Sequence, residues 1–509
     1  MATGGGAEAL VGRGVERERA GDVPGAIAAL REARRLAPRD GAIAHRLGLV
    51  LLRSGNRGEA VTTLRAAIGL LPRDPGPAHD LGVALFSDGQ FAEAARAFER
   101  SAALDPSRAL HQIRLATARE RLHDIPGALR ALGLALSMEP SNPEAIALSV
   151  ELLVREGKHA ECAERAGALD LSRFPPHLAA RVWNAQGRSL ERLGDFDGAF
   201  AAIMRSNDTL RNTPEARAAL ASPVEGLMRE TLAGATPEMF ARWRDAAPES
   251  EPPMVWLVGM PRSGTTVMEQ VLAMAPGVAT NDERARASVV YEALFRMTGA
   301  EPRTVIERLD ALSPEQVREL RALFHAEVVR SVGEATGAAV VIDKQPMRVM
   351  DAALIQRLLP RSKMIMMVRD PRDVCLSALF QAFNPRPVMS RFMAPDLAGR
   401  LCAEVMGFWR TVQPWVSFQT LEVRYEDLVR DFEPQTRRIA AFIGVPWTEA
   451  MHRFDDAART RAVRSASYTA VTQGINDKSI GRWRSYRAHL GPVLAAVAPV
   501  VAAYGYDPD

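Results

Sequence analysis

Proline recurs at Pro38, Pro72, Pro106 and Pro140, a constant step of 34 residues, and this period constrains the fold more tightly than any other feature of the chain. Gly21, Gly55, Gly89 and Gly157 keep the same step, with His123 in the remaining slot. Ala26, Ala60, Ala94 and Ala128 keep it as well, and a further series runs Gly14, Gly48, Gly82 and then Ala116. Between these marks apolar residues fall at three- and four-residue spacing, as at Ala26, Ile27, Leu30 and Ala33, the stripe of a helix that buries one face. Small residues let two helices cross closely, and a proline placed after the second helix prevents its continuing. The period therefore predicts helix–turn–helix units from about residue 7 to 176. A divergent sixth unit starts near Arg181, with Trp183, Gly187, Gly194 and Ala199 in register with one another.

A 34-residue helix–turn–helix period with this small-residue pattern resembles the tetratricopeptide-repeat (TPR) family. The resemblance implies an α-solenoid. Its concave face would take a protein or extended peptide partner, or the array would serve as a scaffold or dimerisation element; both readings stay open, as does the oligomeric state. The expected organisation is a repeat array of about six units over residues 1–213 and a helical linker over 214–252. Pro214, Pro223 and Pro237 break up that linker, which ends in the string Ala247–Pro253, and a second domain follows over 253–509.

The second domain opens on VWLVGMPRSGTTVMEQVLAMAP. Val255 to Val258 read as a short buried strand, Gly259 to Gly264 as a glycine-bounded loop, and Thr265 onward as a helix. Strand, glycine loop and helix N-terminus together point backbone N–H groups at a phosphate. An NTP-binding P-loop places a lysine directly after its second glycine. Here Thr265 stands in that place, and the cation sits inside the loop as Arg262. A P-loop kinase or NTPase would also need an acid after a neighbouring strand, for which Asp343 and Asp370 are loose candidates.

GMPRSGTT after an apolar strand resembles the 5′-phosphosulfate loop of sulfotransferases, particularly the tyrosylprotein-sulfotransferase-like branch, and the resemblance covers roughly residues 253–509. It implies a P-loop-like α/β domain with a central parallel sheet, 3′-phosphoadenosine-5′-phosphosulfate (PAPS) as sulfuryl donor, 3′,5′-ADP (PAP) as product, and no metal. On this reading Arg262, Ser263, Gly264, Thr265 and Thr266 hold the 5′-phosphosulfate. Arg369, at the end of the strand Met364–Val368, and Ser377, eight residues later on a helix opened by Pro371, hold the 3′-phosphate. Glu283, twenty-one residues after Arg262, stands where the family carries the carboxylate that takes the acceptor's proton, with Asp282 as the substitute. Lys344, after the strand Ala339–Ile342, would neutralise charge on the bridging oxygen. Tyr425, after the strand Leu421–Arg424, would lie near the adenine. The segment Arg459–Arg487 carries seven Lys/Arg against one acid, and within it Ser467, Asn476 and Arg482 match the family's closing loop. There Ser467 would donate to the transferring sulfuryl group and Arg482 would meet the 3′-phosphate. Acceptor-binding residues are expected in loops, with 284–338 and 384–400 as candidates.

Composition limits the remaining choices. A formal net charge of +3 over 509 residues gives no support for a chain-wide polyanion-binding role, so no nucleic-acid partner is expected. Cys162, Cys375 and Cys402 are too scattered for a disulfide framework or a zinc site. The opening MATGGGAEAL lacks a basic segment followed by an apolar core, so a secretory signal is not expected. The longest apolar run, Val493 to Ala503, has eleven residues and contains Pro499, too short to span a bilayer. The chain therefore reads as cytoplasmic and soluble. The tyrosylprotein enzymes work in the secretory pathway with a membrane anchor and disulfides, so their protein-tyrosine substrate does not carry over with the chemistry. The acceptor hydroxyl could belong to a protein or peptide, a glycan or a small molecule. A non-catalytic TPR protein with a nucleotide-binding domain is the rival from a different class.

Overall fold

The computed structural model describes residues 4–247, 254–283, 287–299, 301, 303–332, 338–454 and 477–509. The chain forms two compact units, Met1–Ser189 and Leu190–Asp509, divided within the helix Pro176–Arg192.

The first unit is helical. Its second helices are Val23–Leu36, Arg57–Leu70, Phe91–Leu104 and Ile125–Met138, and each ends two residues before a proline of the 34-residue series. Two residues past the ends of the preceding helices the backbone turns left-handed, at Gly21 (φ 81°), Gly55 (80°), Gly89 (78°), His123 (59°) and Gly157 (75°). The periodic glycines thus mark the turn inside each unit, and His123 takes the same conformation at a steric cost that glycine escapes. Close crossing explains the other small series. A Cβ on Gly48 would lie 2.7 Å from Leu64 Cδ2, and one on Gly82 would lie 2.5 Å from Phe98 Cε1. Ala26, Ala60, Ala94 and Ala128 are all fully buried. Successive units are joined by exposed ion pairs between like positions: Arg31 to Glu59 at 2.6 Å, and Arg65 to Glu93.

In the second unit the described residues form a five-stranded, all-parallel sheet. Its strands are β1 (Met254–Gly259), β2 (Val278–Thr280), β3 (Val340–Lys344), β4 (Lys363–Val368) and β5 (Gln419–Arg424), in the order β2-β3-β1-β4-β5. β1, β4 and β5 extend the strands expected from sequence, while β3 starts one residue later than the expected Ala339 and takes in Asp343 and Lys344. β2, three residues at the sheet edge, is too short to carry a periodic signal. Side chains alternate between two cores. Val255, Leu257, Ile365 and Met367 pack with Met268, Val271 and Leu272 of the helix Thr265–Leu272 and with Ile439 and Ala440. Trp256, Val258, Met364 and Met366 face the opposite layer, with Phe324, Leu354, Leu376, Trp409 and Val497. Covered on both faces, β1 and β4 read as near-unbroken apolar runs, whereas the edge strand β5 is mixed and partly exposed. The helix Phe196–Arg211 adds Ala199, Phe200 and Ile203 to this second core, although the repeat pattern reaches it in sequence. The linker string from residue 248 to 253 lies outside the described residues. β1 is central and its chain leaves toward β2, while β4 lies on its other side. The loops at the C-terminal ends of β1, β3 and β4 therefore converge where ligands of open α/β sheets bind.

Candidate active site

β1 delivers the chain into the loop Gly259–Gly264. Arg262 has φ 73° and Gly264 has φ 102°, the latter as N-cap of the helix Thr265–Leu272. Gly264 is needed for space as well as for its backbone: a Cβ there would lie 2.7 Å from Tyr425 Cδ2. Ser263, Thr265 and Thr266 are buried. Among the described residues, Ser263 Oγ has no hydrogen-bond partner.

The loop is held from β4. Arg369 donates one guanidinium N–H to the Arg262 carbonyl at 2.9 Å and another to the Ser479 carbonyl at 2.6 Å. Its guanidinium lies 4.7 Å from the centre of the Tyr425 ring, a cation–π distance. The Tyr425 hydroxyl is 3.1 Å from Ser479 Oγ, and Arg262 Nε donates to Ser377 Oγ at 3.0 Å. Arg369 Nε is buried without a hydrogen-bond partner among the described residues. Asp370 does not pair with Arg369: it caps the helix Pro371–Leu379 and bonds Arg372 at 2.8 Å. Asp373 accepts the backbone N–H groups of Gly481 (2.7 Å) and Trp483 (2.9 Å), tying the segment after residue 477 to the helix that carries Ser377.

A second cluster forms where β3 ends. Lys344 is fully buried, with Nζ 2.7 Å from Glu283, 3.2 Å from Glu269 and 3.6 Å from Asp282. Burial works against the ammonium, yet Glu269, Glu283 and Asp282 together hold its pKa above the ordinary lysine value. Burial pushes Glu269 up to about 7, with Lys344 opposing and Asp282 adding to the rise. The Glu283 side chain is 41% exposed, so this carboxylate meets solvent while its partner does not. Asn281 places the turn by accepting the Lys344 backbone N–H at 3.0 Å and donating to Asp343. Asp343 is itself bonded to Arg348 at 2.9 Å.

Most residues expected from sequence therefore fall into two groups around one helix start. Arg262, Ser263, Gly264, Thr265, Thr266, Arg369, Ser377 and Tyr425 form the first; Lys344, Glu283 and Asp282 form the second. Ser467 and Asn476 lie outside the described residues. Arg482 does not join the Arg369–Tyr425 group. Its Nε is 2.5 Å from Glu191, and its guanidinium lies 4.4 Å from the Phe380 ring centre. Two members were not anticipated. Ser479 carries no spacing signal of its own, beyond lying in the basic segment between Asn476 and Arg482. Glu269 did carry one: Thr265, Met268, Glu269 and Leu272 share one helix face, which marks Glu269 as an acid on a buried stripe. Among the described residues, no group of three or more His, Cys, Asp or Glu is placed to hold a metal, and no helix is long and apolar enough to cross a membrane.

Comparison with known proteins bears on this arrangement. Residues 253–449 match the model of the sulfotransferase family, and residues 11–76 and 79–143 match the tetratricopeptide repeat. An uncharacterized protein of Aquifex aeolicus is 24% identical over 366 residues, 69% of this chain and 46% of that protein. The protein-tyrosine sulfotransferase 1 of Danio rerio is 25% identical over 271 residues, 50% of this chain and 73% of the relative. The protein-tyrosine sulfotransferase of Drosophila melanogaster is 23% identical over 273 residues, 51% of this chain and 52% of the relative. The match thus spans about half the length of the Aquifex and Drosophila proteins.

Proposed function

We propose that the second unit transfers a sulfuryl group from PAPS to the hydroxyl of an acceptor, and that the repeat array engages a protein partner. The observation that supports the reading is a buried pair of donors without partners among the described residues, Ser263 Oγ and Arg369 Nε, beside a glycine loop that opens the helix carrying Glu269, 3.2 Å from Lys344. Donors buried without partners are costly unless a ligand completes them, and a nucleotide with phosphates on both its 5′ and 3′ sides has acceptors for both.

Within this reading the loop Arg262–Thr266 holds the 5′ side of the nucleotide, and Arg369 with Ser377 the 3′ side. PAPS supplies the sulfuryl group. Tyr425 packs beside the loop, with the Arg369 guanidinium 4.7 Å from its ring centre. Glu283 takes the acceptor's hydroxyl proton on Oε1 once the Lys344 ammonium turns away from it, and Lys344 then carries positive charge toward the leaving side. Acceleration comes from placement and fixed charge. The protein-tyrosine sulfotransferases among the relatives make a tyrosine hydroxyl of a protein or peptide the first acceptor to test, ahead of a glycan or small molecule.

The test is a thermal-shift titration with PAP, 5′-ADP and ATP, followed by PAPS turnover on tyrosine peptides. Stabilisation by PAP well above that by 5′-ADP, and a fall of about 10²–10⁴-fold in turnover for Glu283→Gln with PAP binding retained, are expected. Stabilisation by ATP and not PAP overturns the assignment in favour of a phosphoryl-transfer enzyme.

A further inference from the structure

Resting on the sulfotransferase reading, we infer that Glu269 is a positioning residue for the transfer: it pins the turn that carries Glu283 and competes with Glu283 for Lys344, releasing the Glu283 carboxylate to act as base. Glu269 is fully buried on the helix that begins in the phosphate loop, one turn after Thr265. One carboxylate oxygen accepts the Asp282 backbone N–H at 2.9 Å; the other lies 3.2 Å from Lys344 Nζ. Both contacts bear on the candidate base. Asp282 (φ 45°) and Glu283 (φ 62°) are consecutive non-glycine residues in left-handed conformation, an arrangement that persists only where its surroundings over-determine it. The bond from Glu269 to the Asp282 N–H fixes the first of these two residues, and so the direction in which Glu283 leaves the backbone.

The contact with the lysine sets the electrostatics. Lys344 has three carboxylates around one ammonium, and at 2.7 Å the nearest is Glu283, the group that must accept a proton. An ammonium bonded to a carboxylate oxygen occupies the lone pair that would take the proton. An ionised Glu269 shares the Lys344 ammonium, anchors it as it turns from Glu283 toward the leaving side, and frees Glu283, the more exposed partner, for the acceptor. A neutral Glu269 leaves the lysine on Glu283. Among the described residues, the charged groups facing Glu269 are Lys344 from β3 and Asp282 from the turn after β2, with Glu283 reached through Lys344. β1 has no ionisable side chain, and the helix Glu449–His452, which also packs here, buries Met451 and carries Glu449 and His452. Because burial places the Glu269 transition at about 7, the exchange falls within the working range of an enzyme at neutral pH.

The experiment is steady-state turnover of PAPS against pH from 5.5 to 9 for the full chain, Glu269→Gln and Glu269→Asp, with PAP affinity by calorimetry and folding by thermal melts. Wild-type kcat is expected to rise through a step near pH 7. In Glu269→Gln, kcat falls roughly ten- to hundredfold at pH 8, the step disappears, and PAP affinity stays within about twofold. Glu269→Asp keeps the step and recovers part of kcat. A folded Glu269→Gln protein with kcat within twofold of wild type and the same step overturns the inference, as does a loss of PAP affinity that accounts for the whole loss of kcat/KM. If Glu269→Gln does not fold, wild-type kcat and pH profile in Glu269→Asp overturn it instead. Failure of wild type to turn over PAPS or to bind PAP counts against the sulfotransferase reading itself, a result distinct from any difference among the variants.

Discussion

Gly264→Ala tests the idea that the phosphate loop and Tyr425 are built against each other. Two costs add. The first is backbone: φ 102° is a conformation that alanine adopts only under strain, at about 1–2 kcal/mol. The second is contact. The new Cβ would lie 2.7 Å from Tyr425 Cδ2, 3.3 Å from its Cε2 and 3.5 Å from Met367 Cε. Optimal carbon separations are about 3.5–4.0 Å, so the ring must retreat by roughly 1 Å, an overpacking cost of about 1–3 kcal/mol. The sum is about 2–5 kcal/mol. Gly444→Ala separates the two costs, because Gly444 lies in the same unit at φ 86° with nothing within 4 Å of a new Cβ. It should cost about 1–2 kcal/mol and leave ligand binding untouched. A retreating Tyr425 also disturbs its contact with Arg369 at 4.7 Å and its bond to Ser479 at 3.1 Å, so Gly264→Ala should lose about tenfold or more in PAP affinity. Denaturant unfolding of both variants, with PAP calorimetry, measures each part. Equal destabilisation of the two variants with equal PAP affinity would refute the argument from close approach.

Two further outcomes follow from single groups. Ser263→Ala removes a buried hydroxyl that has no partner among the described residues, so unfolding free energy should hold or rise by up to about 1 kcal/mol, while PAP affinity falls about three- to tenfold; a clear loss of stability would contradict it. In the repeat array, burial pushes His79 down to about 4, with His111, Arg114 and Arg108 adding and Asp80 opposing. Its folded pKa lies below the unfolded one, so the unfolded chain binds more protons between pH 6.5 and 4, and stability present above pH 6.5 is lost as pH falls toward 4. The helical melting temperature should drop across that window and drop less in His79→Gln; identical pH slopes for the two proteins would exclude His79 as a source.

What was legible in the sequence was whatever depends on local spacing. The close-crossing glycines and the phosphate loop each place a chemical demand on one position in a short stretch, so Gly82 and Gly264 could be read directly; the period of Gly21 was legible but its place in the turn was not, since spacing alone does not separate a turn glycine from a crossing one. Arg369, Ser377, Lys344 and Tyr425 were singled out by the family resemblance, and they come near one edge because parallel strands deliver their C-terminal ends there, Lys344 as the last residue of β3 and Ser377 on the helix after β4. Ser479 was not, since Arg369 binds its backbone carbonyl and any residue type offers that group. Glu191 as the partner of Arg482 joins residues 291 positions apart, a pairing that no local pattern encodes. The helix Phe196–Arg211 shows a related limit: repeat periodicity reports that a helix forms, and its apolar face is equally suited to a neighbouring repeat or to the core of the second unit.

The ion pairs along the repeat array bear on how such an array can change in length. Arg31 and Arg65 occupy one position of the 34-residue unit, and Glu59 and Glu93 another. The second unit, which holds Glu59 and Arg65, thus carries an acceptor for the unit before it and a donor for the unit after it, whereas Gly25, Glu99 and Gly127 stand at these positions elsewhere in the array. Duplicating or deleting that whole unit leaves each of its junctions with both halves of the pair, whereas an insertion of any other length there breaks the phase. The seam contributes little to stability where it is exposed. Its effect is on inheritance: at this place it permits the array to lengthen or shorten by one whole unit without any compensating substitution at the joints.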